Sequence, residues 1–136
     1  MSNDNSQKIL KLCEKHWNAH SGDCSGFAKA VANELRISLS GQANEIVDQI
    51  QQAPWRVLNS GEEATAQASL GRLVIGGLKA QPLGHVVIVV AGPLSQGKYP
   101  TAYWGSFGGV GKKNQTVNWS WNKNDRDRVI YSAIVL

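Results

Sequence analysis

One cysteine of this chain stands where a thiol is most easily turned into a nucleophile. Cys24 follows a polar turn at residues 21–23 and opens a segment whose apolar residues recur at helical spacing. We therefore expect Cys24 at the N-terminus of a helix, with Asp23 as the N-cap. The positive end of a helix macrodipole favours a thiolate and lowers its pKa, and the free N–H groups of the first turn are available to an oxyanion. Cys24 is the candidate nucleophile of a cysteine hydrolase.

His85 is the candidate general base for that nucleophile. It begins the valine-rich apolar run 85–91, which is typical of a buried strand, and it would lie at the sheet end that faces the helix start. His16 falls on the apolar face of the first helix and His20 in a loop, which makes both weaker choices. A histidine at a strand end is by itself more often structural. However, a cysteine on a helix followed by a histidine on a strand is the papain-like order.

The other parts of the site are assigned from their places along the chain. Ser25 and Gly84 are neighbours of the two candidate reacting residues, Trp104 directly precedes the glycine-rich segment 105–111, and Ser106 is the second residue of that segment. We assign these four residues to the oxyanion hole or the substrate groove, with a place in the core as the alternative for Trp104.

The group that orients the imidazole of His85 is left open between Tyr103, Ser106 and a backbone carbonyl. The segment 105–111 is either a flexible hairpin connection or a loop that lines the substrate. It is not a phosphate loop, because it lacks the Gly-Lys-Ser/Thr ending.

The composition limits the classes of partner. The chain has 136 residues, 42% hydrophobic and 18% charged, which fits one globular domain spanning residues 1–136. Its net charge of +4 and its pI of about 9.2 come from scattered lysines and arginines rather than from a basic stripe. We therefore expect no nucleic-acid partner, whereas a bacterial wall that carries carboxylates would attract the protein.

No segment is predicted to enter a membrane or to direct general secretion. The longest apolar run, at residues 86–91, is too short to cross a bilayer. No apolar stretch follows the polar residues 1–7, so we expect no Sec-type signal peptide. The protein is expected to be made in the cytoplasm and, if it acts elsewhere, to be moved by another route.

The second cysteine has a structural interpretation. Cys13 lies on the apolar face of the first predicted helix, so we expect a buried small hydrophobic residue there rather than a reactive thiol. Two cysteines do not form a disulfide framework, and the spacing of the histidines predicts no metal site. The predicted chemistry needs no metal and no cofactor.

Helical periodicity fills the first half of the chain, and strand-like segments fill the second. Helices are predicted at about residues 9–17, 24–35 and 42–51, and from a capping box at 60–63 to near residue 71. Strands are predicted at 73–75, 85–91, 101–106, 116–121 and 129–135, the first of them ended by Gly76 and Gly77. This order predicts an α+β fold, with N-terminal helices packed on a mainly antiparallel β-sheet.

Several of these segments together resemble a known family. Those around Cys24, Val74 and His85 resemble the NlpC-type, papain-like peptidoglycan peptidases. More closely, the chain resembles the family 1 amidase effectors of bacterial type VI secretion, from about residue 13 to residue 131. The segments that carry this resemblance are 24–27, 43–48, 73–79, 84–86, 92–94, 98–100 and 125–128.

The resemblance implies a papain-like, NlpC-type fold and a toxin that the type VI secretion apparatus delivers into the periplasm of rival Gram-negative bacteria. There it would act as a DL-endopeptidase on the γ-D-glutamyl–meso-diaminopimelate bond of peptidoglycan stem peptides, with Cys24 and His85 as the catalytic pair. It also implies a cognate immunity protein that plugs the active-site groove.

Two alternatives share the same residues. The chain would be a wall-binding module if it kept the fold without the catalysis, although an intact Cys24 and His85 speak against this. It would be an acyltransferase or a transglutaminase-like enzyme if an amine rather than water accepted the acyl group from Cys24.

Overall fold

The chain folds, in a computed structural model that describes residues 2–136 and the side chains from residue 5 onward, into four α-helices and six β-strands. The helices are α1 (Ser2–Trp17), α2 (Cys24–Glu34), α3 (Ala43–Gln49) and α4 (Gly61–Ser69). The strands are β1 (Arg56–Val57), β2 (Leu73–Leu78), β3 (His85–Val89), β4 (Thr101–Trp104), β5 (Lys112–Thr116) and β6 (Ile130–Ile134). Two 3₁₀ turns lie at Asn18–His20 and Val117–Trp119.

The strands of residues 2–136 form one sheet in the order β1-β6-β2-β3-β4-β5, and every neighbouring pair is antiparallel. The predicted α+β arrangement is therefore confirmed. Leu78 at the end of β2 pairs with His85 at the start of β3, and Gly77 pairs with Ile130 at the start of β6. These three strand ends consequently lie together at one end of the sheet.

The sheet is covered on both faces, so consecutive residues of a central strand are buried in different layers. Val86 and Ile88 of β3 pack with α1, α2 and α3, whereas Val87 and Val89 pack with α4 and with Trp121. An antiparallel sheet with one wet face shows alternating apolar and polar residues. Burial on both sides explains why this strand reads as a continuous apolar run.

Side-chain caps fix the starts of two helices. The Asp23 carboxylate accepts a hydrogen bond from the backbone N–H of Gly26 at 3.0 Å, as predicted for the N-cap of α2. At α4, Ser60 Oγ accepts from the N–H of Glu63 at 3.1 Å. The predicted capping box is only partly correct, because the Glu63 carboxylate accepts from the N–H of Asn59 instead of that of Ser60.

The prediction that Gly76 and Gly77 end the first long strand is wrong, since β2 continues through both to Leu78. A Cβ on Gly76 would lie 2.9 Å from Cε1 of Tyr131, and a Cβ on Gly77 would lie 2.7 Å from Cγ2 of Val47. The two glycines are positions of close approach on opposite faces of the sheet, not breaks in the strand.

The strand predicted at 116–121 is also wrong. Val117 donates to the carbonyl of Pro100 at 3.0 Å, and the chain then closes a 3₁₀ turn in which Ser120 donates to the carbonyl of Val117 at 2.9 Å. The strand of this region is β5, which precedes the 3₁₀ turn in the chain and lies at the edge of the sheet. Its residues are polar and largely exposed, so no apolar pattern marks them as a strand.

Candidate active site

Cys24 is the first residue of α2 and lies where that helix meets the sheet. Its residue surface is 6% exposed, and it packs in the same core layer as Phe27 and Val86. The Asp23 cap holds the helix start in place, and Ser25 Oγ also donates to the Asp23 carboxylate at 3.1 Å. The thiol is therefore held on a rigid element rather than on a loop.

Three backbone N–H groups surround the Cys24 sulfur. Those of Val86, Ser25 and Cys24 itself all favour its ionised form. Burial disfavours the thiolate and has a larger effect than these N–H groups, and the negative charge of Asp23 disfavours the thiolate further. The pKa of the Cys24 thiol is therefore raised above its ordinary value. The prediction that the helix N-terminus lowers this pKa is wrong for the free protein, because desolvation of the thiolate outweighs the backbone N–H groups around it.

His85 opens β3, and its ring makes edge-type contacts with two indole rings. The imidazole meets Trp121 at 5.1 Å between ring centroids, with the planes 68° apart, and Trp104 at 6.4 Å and 89°. Burial lowers the pKa of His85 from its ordinary value of 6.5 to about 4. The imidazole is therefore neutral near pH 7 and able to accept a proton.

Thiol and imidazole share one cavity of about 300 Å³, which we call the Cys24 cavity. It is lined by Cys24, Pro82, Leu83, Gly84, His85, Ser106 and Phe107. Of the residues predicted for the site, the structure thus brings Cys24, Gly84, His85 and Ser106 to one cavity. Within residues 2–136 no hydrogen bond joins the thiol to the imidazole. Such bonds are often long in a free enzyme and shorten when substrate binds.

The loop before His85 is fixed by α3. The Asn44 amide donates to the carbonyl of Ala80 at 2.9 Å and accepts from the N–H of Ala80 at 3.1 Å. Gly84 fits tightly beneath it, because an added Cβ would lie 2.3 Å from Asn44 Oδ1 and 2.6 Å from the carbonyl oxygen of Leu78. Gly84 therefore belongs to the packing that positions His85 as well as to the cavity wall.

The glycine-rich segment 105–111 docks on the turn that precedes Cys24. The backbone N–H groups of Ser106 and Gly111 both donate to the carbonyl of Ser21, at 2.9 and 2.7 Å. This places Phe107, which is 78% exposed, at the rim of the Cys24 cavity. The segment is thus a connection between β4 and β5 that also forms part of the cavity wall.

Two sequence assignments do not fit these positions. Trp104 is 3% exposed and lies behind the imidazole of His85 rather than in the wall of the Cys24 cavity. Tyr103 donates its hydroxyl to Glu14 on α1, so it is not the group that orients His85. Within the described chain neither ring nitrogen of His85 is hydrogen-bonded, and the two indoles hold the ring by packing.

The other cysteine and the other histidines lie elsewhere. Cys13 belongs to α1 and is fully buried in the core, as predicted, and burial raises the pKa of its thiol. His16 bonds to Glu34, and His20 sits in a 3₁₀ turn. Neither histidine lines the Cys24 cavity.

Four residues around the site were not assigned to it individually from the sequence. Trp121 comes from a segment distant from Cys24 and His85, Phe107 lies in the glycine-rich segment 105–111, and Leu83 lies in the loop before Gly84. Asn44 belongs to the segment 43–48 that carries part of the resemblance, which was the one available hint. Contacts of this kind depend on the folded topology and not on local pattern.

Within residues 2–136 there is neither a cluster of metal-ligating side chains nor a candidate membrane span. No group of three or more histidine, cysteine, aspartate or glutamate side chains is gathered there as a metal site would require. None of the helices in that range has the length and hydropathy of a membrane span.

Comparison with known proteins adds one relative. No profile of a known protein family matches the chain. The chain is similar to a protein named peptidoglycan amidase Tse1, from Pseudomonas aeruginosa strain PAO1. The two are 40% identical over an alignment that covers 92% of this chain and 88% of the relative. Identity at this level over most of both chains implies common ancestry and a common fold.

Proposed function

The chain belongs to the Tse1 family of peptidoglycan amidases, the family 1 amidase effectors of type VI secretion, and on that premise we propose that it hydrolyses an amide bond of peptidoglycan stem peptides with Cys24 and His85. The observation that supports these two residues is the Cys24 cavity. It presents a thiol and a neutral imidazole to the same space, and backbone N–H groups of Val86, Ser25 and Cys24 lie against the sulfur.

In the first half of the reaction the Cys24 sulfur attacks the amide carbonyl. His85 takes the thiol proton as the bond forms, since both groups are neutral in the free protein and an ion pair does not exist beforehand. The N–H groups of Cys24 and Ser25, at the start of α2, donate to the oxyanion. His85 then passes its proton to the leaving amine, which departs and leaves a thioester on Cys24.

In the second half water replaces the amine. His85 takes a proton from the water, the hydroxide attacks the thioester carbonyl, and the same N–H groups stabilise the second oxyanion. The thioester C–S bond breaks, His85 returns the proton to the sulfur, and the new carboxylate leaves. The cycle consumes one water and needs no metal or cofactor.

The bond that we propose is γ-D-glutamyl–meso-diaminopimelate, as the family resemblance implies. At neutral pH no formal charge is present among the lining residues of the Cys24 cavity, because His85 is neutral there. Such a wall suits the amide and its flanking methylenes. The charged groups of the stem would lie outside the cavity.

Delivery and inhibition form the remaining part of the proposal. The type VI secretion apparatus would carry the protein into the periplasm of a rival cell, and a cognate immunity protein would block the cavity. Two apolar side chains at its rim, Phe107 at 78% and Leu83 at 38% exposed, offer the apolar contact that a protein plug needs.

The test uses purified Gram-negative sacculi and counts new amino groups. The wild-type protein should release amines, Cys24→Ala should release none above background, and Cys13→Ala, which removes the other free thiol, should keep the activity. Equal release by Cys24→Ala and the wild type would overturn the assignment.

The same digests separate the two alternatives. A wall-binding module would sediment with the sacculi and produce no new termini. A transferase would join an added amine, such as glycine amide, to the cleaved stems, whereas hydrolysis leaves a free carboxylate. Mass spectrometry of the released fragments distinguishes these products.

A further inference from the structure

A second cavity lies on the sheet face that α4 covers, and it has no lining residue in common with the Cys24 cavity. We call it the Arg126 cavity. Its volume is about 200 Å³, below the roughly 300–1,000 Å³ of a typical small-molecule pocket, so it would hold one small unit. Two segments that carry the family resemblance, 98–100 and 125–128, contribute to its wall, although the proposed catalysis uses neither.

Charged groups surround the ring of Tyr99 in this cavity. The guanidinium of Arg126 lies 5.0 Å from the ring centroid and the ammonium of Lys98 lies 5.5 Å from it. The Asp127 carboxylate accepts from the Tyr99 hydroxyl at 2.6 Å and lies 3.7 Å from Lys98. Within the described residues Arg126 forms no ion pair, and its buried Nε has no hydrogen-bond partner. The charge of Arg126 helps to lower the pKa of Asp127, but its unpartnered Nε leaves a donor for a ligand.

Tyr131 supplies the second donor. Its residue surface is only 5% exposed, and the hydroxyl has no hydrogen-bond partner although it is buried. Burial, together with the neighbouring Tyr99 and the charge of Asp127, raises the pKa of Tyr131, so the hydroxyl keeps its proton. An unpaired buried hydroxyl is costly to a folded protein. Its retention here points to a group that enters the cavity and accepts from it.

The N-terminal end of α4 forms the opposite wall. Asn59, Ser60 and Gly61 all line the cavity. Gly61 packs directly on the backbone of the segment around Lys98, because a Cβ at position 61 would lie 2.1 Å from the carbonyl oxygen of Lys98. This close contact brings the positive end of the α4 dipole to the same space as Arg126 and Tyr131.

We propose that the Arg126 cavity binds a free carboxylate of a peptide unit, with Arg126 and the Tyr131 hydroxyl as donors to it and Asp127 as acceptor from an adjacent N–H. A singly charged carboxylate fits a wall with two cations and one anion, whereas the carboxylate of Asp127 disfavours a phosphate dianion. Stem peptides carry such carboxylates, so the cavity would anchor the protein on its polymer beside the strand being cut. The choice of polymer rests on the proposed function, but carboxylate binding itself does not.

Binding is measured in the Cys24→Ala background, so that no hydrolysis takes place. The probes are N-acetyl-D-alanyl-D-alanine and its C-terminal amide, titrated by ¹H–¹⁵N NMR. The carboxylate probe should shift the amides that line the Arg126 cavity, and the amide probe should not. Tyr131→Phe and Arg126→Gln should each weaken binding at least tenfold, about the value of one charge-assisted hydrogen bond. Arg128→Gln is the matched control, since Arg128 pairs with Asp125 at 3.3 Å and does not line the cavity.

Thermal unfolding gives a second readout that a purely structural tyrosine would not show. Tyr131→Phe removes the unpaired hydroxyl, so the Tm of the free protein should rise by about 3 °C. Weaker binding with a higher Tm supports the proposal. Binding by Tyr131→Phe and Arg126→Gln equal to that of Arg128→Gln, equal binding of both probes, or a fall in Tm for Tyr131→Phe would overturn it. None of these outcomes depends on whether the wild type cleaves sacculi.

Discussion

The two cavities of this protein differ in the charge of the side chains that line them. The Cys24 cavity holds the two groups proposed to react uncharged at neutral pH, because the pKa of the thiol is raised and that of the imidazole is lowered. The Arg126 cavity gathers two cations and a carboxylate around one tyrosine ring. A charge that develops only in a transition state is stabilised most effectively by fixed N–H dipoles in a site that excludes water. Recognition of an anion needs a charge that is present before the ligand arrives.

Removal of the imidazole gives the largest effect that this contrast implies. His85→Ala should lower kcat/KM on a soluble stem tripeptide by about 10³-fold or more, since a positioned general base contributes 10²–10⁴-fold. Rates are compared with those of His20→Ala, which changes a histidine outside the Cys24 cavity. A loss of less than tenfold in a folded His85→Ala protein would mean that another group serves as the base.

The pH dependence of stability checks whether His85 is buried as a neutral group. Its pKa is about 4 in the folded protein and 6.5 ordinarily, so between these values only the unfolded chain binds the proton. The free energy of unfolding therefore rises with pH in this window, and the contribution of His85 is lost as the pH falls from 6.5 towards 4. At 1.36 kcal/mol per pKa unit the loss is about 3 kcal/mol.

Urea unfolding at pH 4 and pH 7 measures this loss, with His85→Gln as the control. The variant lacks the titrating group, so its stability should change by about 3 kcal/mol less between the two pH values. Equal changes in both proteins would show that His85 titrates normally and that the Cys24 cavity is wetter than the structure indicates. The contrast between the two cavities would then be weaker.

Displacement of the loop before His85 should break the site without removing any reactive group. Gly84→Ala places a methyl 2.3 Å from Asn44 Oδ1, and the loop must move to relieve the contact. A shift of about 1 Å at a catalytic group can cost about 10²-fold in rate, which is the loss of kcat/KM expected here. Gly109→Ala, where no atom lies within 4 Å of the new methyl, is the matched substitution and should stay near the wild-type rate. Similar rates for the two variants would show that the tight packing does not position His85.

The smallest expected effect concerns the indole that contacts His85. Trp121→Phe removes part of a ring contact at 5.1 Å, and such contacts are worth about 0.5–1.5 kcal/mol. We expect kcat/KM to fall several-fold, and the acid limb of its pH profile to move upward, because a less buried imidazole has a pKa closer to 6.5. A rate change with an unmoved acid limb would assign Trp121 to general packing rather than to the environment of His85.

The sequence predicted the elements whose own residues carry the pattern. The helical spacing in α2, with Asp23 before it, and the valine run of β3 were sufficient to place Cys24 and His85 on the correct elements. Failures came where the pattern is set by distant contacts. Gly76 and Gly77 were interpreted as a break in the strand, since the local sequence does not show what packs on them. The Tyr131 ring that packs on Gly76 is 55 positions away in the chain.

The edge strand and the surroundings of the site were harder to predict for the same reason. β5 is polar and lies at the sheet edge, so burial leaves no trace in its sequence. The pKa of Cys24 was predicted in the wrong direction because local helix position was visible and the burial imposed by the sheet was not. Trp121, Phe107 and Asn44 approach His85 and its loop only after the chain has folded.

The most direct test of the central claim is the mass of the enzyme during turnover. The protein is mixed with a soluble stem tripeptide, quenched in acid within milliseconds to seconds, and digested for peptide mapping by mass spectrometry. The expected result is a thioester adduct with the mass of the acyl fragment on the peptide that contains Cys24, together with no turnover by Cys24→Ala. Undiminished turnover by Cys24→Ala, or an adduct on any other residue, would contradict the assignment of Cys24 as the nucleophile.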